Sequence, residues 1–239
     1  MATSALAQQR DPSERGDDYY SRIAAPIHTV LLICLQGGLS YTSKIRLEHS
    51  HAAANLNRVT IYERTIFAEW FVLALVIIGV RLHGSPLSAV LGKRWSSAKE
   101  FTRDLGLGVA FLMISLVVMA IFGTLSGPPD ATTKLLLPHG SLEVILWIVL
   151  SLTAGICEEG IYRGYLQRQF TAFTKSVPAG IILAAAAFGA AHAYQGIAKA
   201  VQIAALGAIL GVLAYWRRSV RPGMISHALQ DLLSLVARH

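Results

Sequence analysis

The sequence predicts an all-α protein, a polytopic transmembrane helical bundle of about seven spans, and three observations carry that prediction. Of its 239 residues 54% are hydrophobic and only 15% are charged, whereas soluble domains average roughly 25% charged residues. The mean hydropathy is +0.50. Apolar runs close to the length a bilayer requires, about 20 residues, recur along the chain. The same arithmetic excludes other classes. Two cysteines, Cys34 and Cys157, make neither a disulfide scaffold nor a cysteine-rich zinc site. A formal charge of +7, from 21 Lys and Arg against 14 Asp and Glu, would suggest nucleic acid in a soluble protein. In so apolar a chain it points instead to anionic lipid headgroups, and no nucleic-acid partner is expected.

The candidate spans are, in order, residues 23–41, 66–82, 105–125, 141–160, 177–194, 197–216 and a weaker one at 222–236. The first is interrupted by Pro26 and Gly37-Gly38, and the last is short and carries His227 and Asp231. Residues 1–22 read as a polar tail without the features of a cleavable signal peptide, and 23–239 as a single transmembrane domain. Counted by alternate loops, fourteen of the 21 Lys and Arg lie on the side of the N-terminal tail and seven on the other. That bias predicts a cytoplasmic N-terminus and, with seven spans, an external C-terminus. The expected location is a bacterial plasma membrane. In the loop 83–104, Leu87, Val90, Leu91 and Trp95 recur at helical spacing among Lys93, Arg94 and Lys99, the pattern of an interfacial amphipathic stretch. Gly207 and Gly211, with the small residues Gly180, Ala184–Ala187 and Gly189–Ala191, read as surfaces for close helix packing.

Three polar clusters stand out inside the spans. The fourth span ends in Cys157-Glu158-Glu159-Gly160-Ile161-Tyr162-Arg163, the fifth carries Phe188-Gly189-Ala190-Ala191-His192, and the seventh carries His227-Ala228-Leu229-Gln230-Asp231. Ionisable groups are costly in lipid, so they face a cavity and serve function by default. Glu159 and Arg163 are four residues apart with the acid first, the favourable order for an ion pair on one helix face. Glu158 then lies about 100° away around the helix, the acid left free of that pair. Tyr162, four residues beyond Glu158, is within hydrogen-bonding reach of it, and His227 projects together with Asp231. Neither an H-E-x-x-H zinc motif nor a G-x-S-x-G nucleophile elbow occurs. Two chemistries fit the four side chains Glu158, His192, His227 and Asp231. As a metal set they would hold a divalent ion such as zinc with an open position for water. Without metal, Glu158 and His192 would activate water while His227 and Asp231 support a developing oxyanion.

At these residues the chain resembles the CPBP (ABI) family of CAAX-processing and bacteriocin-processing intramembrane proteases. That family's pattern is EExxxR, then FxxxH, then HxxxN or HxxxD in a later helix. Here it reads Glu158, Glu159 and Arg163; Phe188 and His192; His227 and Asp231. The resemblance covers about residues 142–236. It implies a glutamic-type intramembrane endopeptidase, related to the type II CAAX prenyl proteases, with no cofactor expected. Glu158, His192, His227 and Asp231 would be catalytic, and Glu159, Arg163, Tyr162 and Phe188 supporting. Its partners would be membrane lipid and a peptide or protein substrate, lipidated or membrane-embedded. An Asp at 231, where eukaryotic prenyl proteases have Asn, is a departure: ionised, it would repel an oxyanion unless paired with His227. A non-proteolytic immunity or scaffolding factor of the same fold is the alternative reading, and a proton-coupled carrier is a third. The spans also contain a conflict of depth. If the fourth ends at Gly160, Glu158 sits at the cytoplasmic boundary, while His192 lies roughly 22 Å into the fifth. Convergence then requires the fifth span to start nearer Gly180 or a water-filled cavity to reach inward.

Overall fold

The computed structural model describes residues 19–52, 56–126 and 135–236. Every regular element among them is helical. In chain order they are α1 (Pro26–Ala52), α2 (Arg58–Leu82), α3 (Ser88–Leu91), α4 (Ala98–Ser126), α5 (Ser141–Glu158), a π-helical segment (Glu159–Leu166), α6 (Gln167–Thr174), α7 (Val177–Ala191), a 3₁₀ turn (Ala193–Gln195), α8 (Ile197–Arg217) and α9 (Arg221–Leu233). Most of the expected tail lies outside the described residues. Its last part is held down: Tyr19 is buried, with its hydroxyl accepting from Gln167 Nε2 at 2.9 Å.

Each expected span corresponds to a helix, but the bounds move. Four helical stretches are long and apolar enough to cross a bilayer: α2, most of α4 (Ala98–Thr124), the continuous run from α5 to α6 (Ser141–Thr174) and α8. Large apolar side chains such as Phe67, Ile78, Val117, Ile121 and Ile145 stand on their outer faces. Contiguous exposed apolar surface of this kind needs lipid around it, so the protein is a multi-pass membrane protein. At 15 residues α7 is shorter, as is α9 at 13. Neither Pro26 nor Gly37-Gly38 interrupts the first span. Pro26 occupies the first position of α1, where a missing N–H costs nothing, and the helix runs on through both glycines for 27 residues.

The largest correction concerns the fourth span. It does not stop at Gly160 but widens into the π segment and continues to Thr174, where Lys175 in the left-handed conformation ends it (φ 55°). Ser176 then caps α7, its Oγ accepting from the Ala179 N–H at 3.4 Å, with Pro178 in the first turn. All eight residues of the π segment are buried. Four of them, Ile161, Tyr162, Tyr165 and Leu166, belong to the main core, with Leu32 of α1, Val72, Leu73 and Val76 of α2, Val90 of α3 and Phe188 of α7.

The loop 83–104 also departs from expectation. It holds the single turn α3, whose Val90 is fully buried, and its last residues, from Ala98, already belong to α4. The Val90 backbone fits against Gly164, where a side chain would collide with the Val90 carbonyl. The apolar spacing was therefore that of an inward plug on the core. Gly207 and Gly211 do serve close packing: beside them lie Arg163 and Phe188, and Gln167 and Ile181, respectively.

Candidate active site

Glu158 and His192 lie equally far, seventeen residues each, from the Lys175 turn that reverses the chain. At about 1.5 Å per residue both stand roughly 25 Å from that turn, on antiparallel neighbouring stretches. The conflict of depth disappears because the fourth helix is longer, not because the fifth starts later. Glu158 Oε1 is 3.7 Å from His192 Nε2. α9 reaches the same place from its own direction. Its approach to α5 depends on Gly155, where a Cβ would stand 2.7 Å from the Met224 carbonyl and 2.9 Å from the Ala228 Cβ, and on Gly223, against the Glu159 carboxylate. One turn further along α9, His227 Nε2 is 3.5 Å from Glu158 Oε2 and 3.8 Å from Asp231 Oδ2.

The two histidines are oriented by their other nitrogens. His192 follows the last residue of α7, and its Nδ1 is 2.9 Å from the Phe188 carbonyl. A carbonyl only accepts, so Nδ1 donates to it and Nε2 is left turned towards Glu158. His227 Nδ1 is 3.0 Å from Glu159 Oε1. Glu159 is fully buried and also forms the expected ion pair with Arg163, at 2.9 Å. It therefore links Arg163 to His227 and fixes the ring, a duty its spacing in the sequence does not reveal. Arg163 in turn donates from Nε to the Gly207 carbonyl (3.4 Å) and lies 4.3 Å from the centre of the Phe188 ring. Phe188 joins the set, with ring centres 4.8 Å from Tyr162, 4.9 Å from His192 and 5.9 Å from His227.

Tyr162 has a different partner from the one its spacing suggests. Its hydroxyl accepts from Gln36 Nε2 of α1 at 2.8 Å. Tyr162 lies where the helix widens into the π segment, whose i→i+5 bonding changes the side-chain register from that of a regular α-helix. The Asp231 carbonyl accepts from Trp147 Nε1 at 3.2 Å, anchoring the end of α9 to α5.

A cavity of about 500 Å³ leads to Glu158 and His192. Its wall comes from α1 and α2 as well as from the π segment and the end of α7, with apolar Leu39, Ile61 and Val72 among its lining. Three of its polar members, Gln36, Glu69 and Tyr194, escaped the sequence reading. Glu69 carried a signal, an acid near the start of the second apolar run. Gln36 and Tyr194 carried none, because only the packing of α1 and of the α7–α8 connection brings them in. Among the described residues no group of three or more His, Cys, Asp and Glu side chains is placed to hold a metal ion.

Residues 140–233 match the family model described as type II CAAX prenyl endopeptidase Rce1-like. The match spans the same stretch as the resemblance to the CPBP family and agrees with it. It contains Glu158, Glu159, Arg163, Phe188, His192, His227 and Asp231. No curated protein and no solved structure matches the chain.

Proposed function

We propose that this membrane protein is an endopeptidase that hydrolyses a peptide bond with a water activated by Glu158 and His192, without a metal. The observation that carries the reading is the gap of 3.7 Å between Glu158 Oε1 and His192 Nε2 at the inner end of the cavity. That separation is too long for a direct hydrogen bond and suits one water bridging two acceptors. The family-model match to an endopeptidase supports the same class.

The chemistry follows from the orientations. The bridging water attacks the scissile carbonyl carbon, and its proton passes to Glu158. The new oxyanion takes a hydrogen bond from His227 Nε2, with the ring acting as an imidazolium whose Nδ1–H is held by Glu159. Collapse of the tetrahedral species breaks the C–N bond, and Glu158 returns the proton to the leaving amine. Asp231 faces the same Nε2 at 3.8 Å, so in this reading it holds the His227 charge in place and does not itself touch the oxyanion. The cavity opens beside the C-terminal end of α1 and the start of α2, so with a cytoplasmic N-terminus it opens on the external side, and the substrate enters along it between those two helices.

The test compares new peptide termini in membranes from cells making wild type, Glu158→Gln or His192→Ala at matched abundance. Loss of a general base costs on the order of 10²–10⁴-fold, so termini present with wild type should vanish with both variants. A chelator added to the purified enzyme should leave the cleavage rate unchanged. Equal termini in all three strains would sink the proteolytic reading and favour a binding role for the fold. Inactivation by the chelator, restored by zinc, would overturn its metal-free form.

A further inference from the structure

The water-activating pair is not the only acid on this cavity. Glu69 projects from α2 into it, and its Oε2 is buried with no hydrogen-bond partner among the described residues. The charged groups acting on it are Glu158 and then Asp231, both acids themselves. The buried guanidinium of Arg163 is committed to Glu159. Burying a carboxylate without a counter-ion or donor is expensive, and a native protein that retains one usually completes it with a bound group. The other charged side chains lining the cavity are Arg46 and Arg64, both exposed. The cavity is thus cationic at its exposed edge and anionic within. Tyr162 and Tyr194 line the same interior, and aromatic faces favour a cation.

We infer that the inner cavity is a cation subsite in which Glu69 receives the ammonium or guanidinium of a lysine or arginine side chain, delivered on an otherwise apolar peptide. The exposed arginines repel free small cations, so the charge enters only when apolar neighbours carry it past them. This names a substrate feature and rests on the proteolytic reading for the word substrate; the binding itself does not.

Two arms test it. In the first, the full chain purified in non-ionic detergent is titrated calorimetrically with octylguanidinium and with its neutral isostere octylurea. A charge-assisted hydrogen bond in a buried site predicts that wild type prefers the cation by about tenfold or more. Glu69→Gln should bring that ratio close to one, and Glu69→Asp should restore part of it. Melting curves of both variants show that the fold survives. In the second, a peptide from a mapped cleavage site is made with lysine or norleucine at each flanking position. Wild type should favour lysine at one of them in kcat/KM, and Glu69→Gln should erase that preference. Equal binding of the two octyl probes by wild type, or a preference that survives Glu69→Gln, overturns the subsite. Cleavage of neither peptide by wild type sinks the protease reading alone, and the calorimetric ratio still decides the subsite.

Discussion

At the residue scale the arrangement turns on which nitrogen of each histidine is engaged. His192 spends Nδ1 on the Phe188 carbonyl and His227 spends Nδ1 on Glu159, so both present Nε2 to Glu158. Glu159 is thereby the most constrained acid, with His227 on one side and Arg163 on the other. Breaking a fully buried pair leaves a stranded charge at a cost of about 3–5 kcal/mol. Arg163→Met should therefore lower the melting temperature sharply, and adding Glu159→Gln to it should recover part of the loss. Asp231 carries a finer prediction. If it only balances the charge on His227, then Asp231→Asn, which keeps shape and gains a donor, should hold kcat/KM within about tenfold. Cleavage abolished in Asp231→Asn, with the melting curve intact, would instead make the carboxylate itself part of the reaction.

The elements place these groups through glycine and through one irregular helix. The π segment from Glu159 to Leu166 shifts the helical register at the site, turning Tyr162 to Gln36 while leaving Glu159 directed at α9. Such segments recur at functional sites for this reason: the wider turn re-aims side chains that a regular helix would stack. α9 is short, yet it reaches Glu158 because Gly155 lets its backbone lie against α5. Gly155→Val would force the two helices apart and cost about 1–3 kcal/mol through overpacking. A shift of about 1 Å at His227 costs on the order of 10²-fold in rate. Activity should thus fall far more than stability in that variant. Equal loss of both, in a parallel assay of rate and melting, would show that the site tolerates the displacement.

For the whole molecule, the division of labour is between a lipid-facing exterior and one cavity. α4 shows the first clearly: Val109, Met113, Val117 and Ile121 are exposed along it. α1 and α2 show the second, since they supply much of the wall of the cavity that leads to Glu158. Ala68 lines that wall. Ala68→Phe places a ring in open space, so kcat/KM should drop by about tenfold or more while the melting temperature holds. Val117→Phe, on the lipid face of α4, is the matched control and should change neither quantity. Blocked entry without loss of fold would identify the cavity as the substrate path; normal turnover in Ala68→Phe would require another route.

The sequence by itself determined the membrane class, the all-helical fold, the approximate place of every span and the three polar clusters in order. Hydropathy and the spacing of four residues are local properties, readable wherever a helix forms, which is why the Glu159–Arg163 pair was legible before any coordinates. Only the tertiary structure decided how the clusters meet. His227 and Glu159 are 68 positions apart, and their bond depends on α9 lying against the glycine face of α5. The run of the fourth span on to Thr174, which levels Glu158 with His192, depends on its buried π turn being covered by α2, α3 and α7. Glu69 and Gln36 joined the cavity through the packing of α1 and α2, outside the stretch in which the motifs lie. Contacts between distant segments carry no local periodicity, so composition and spacing singled out the residues while packing assigned each its partner.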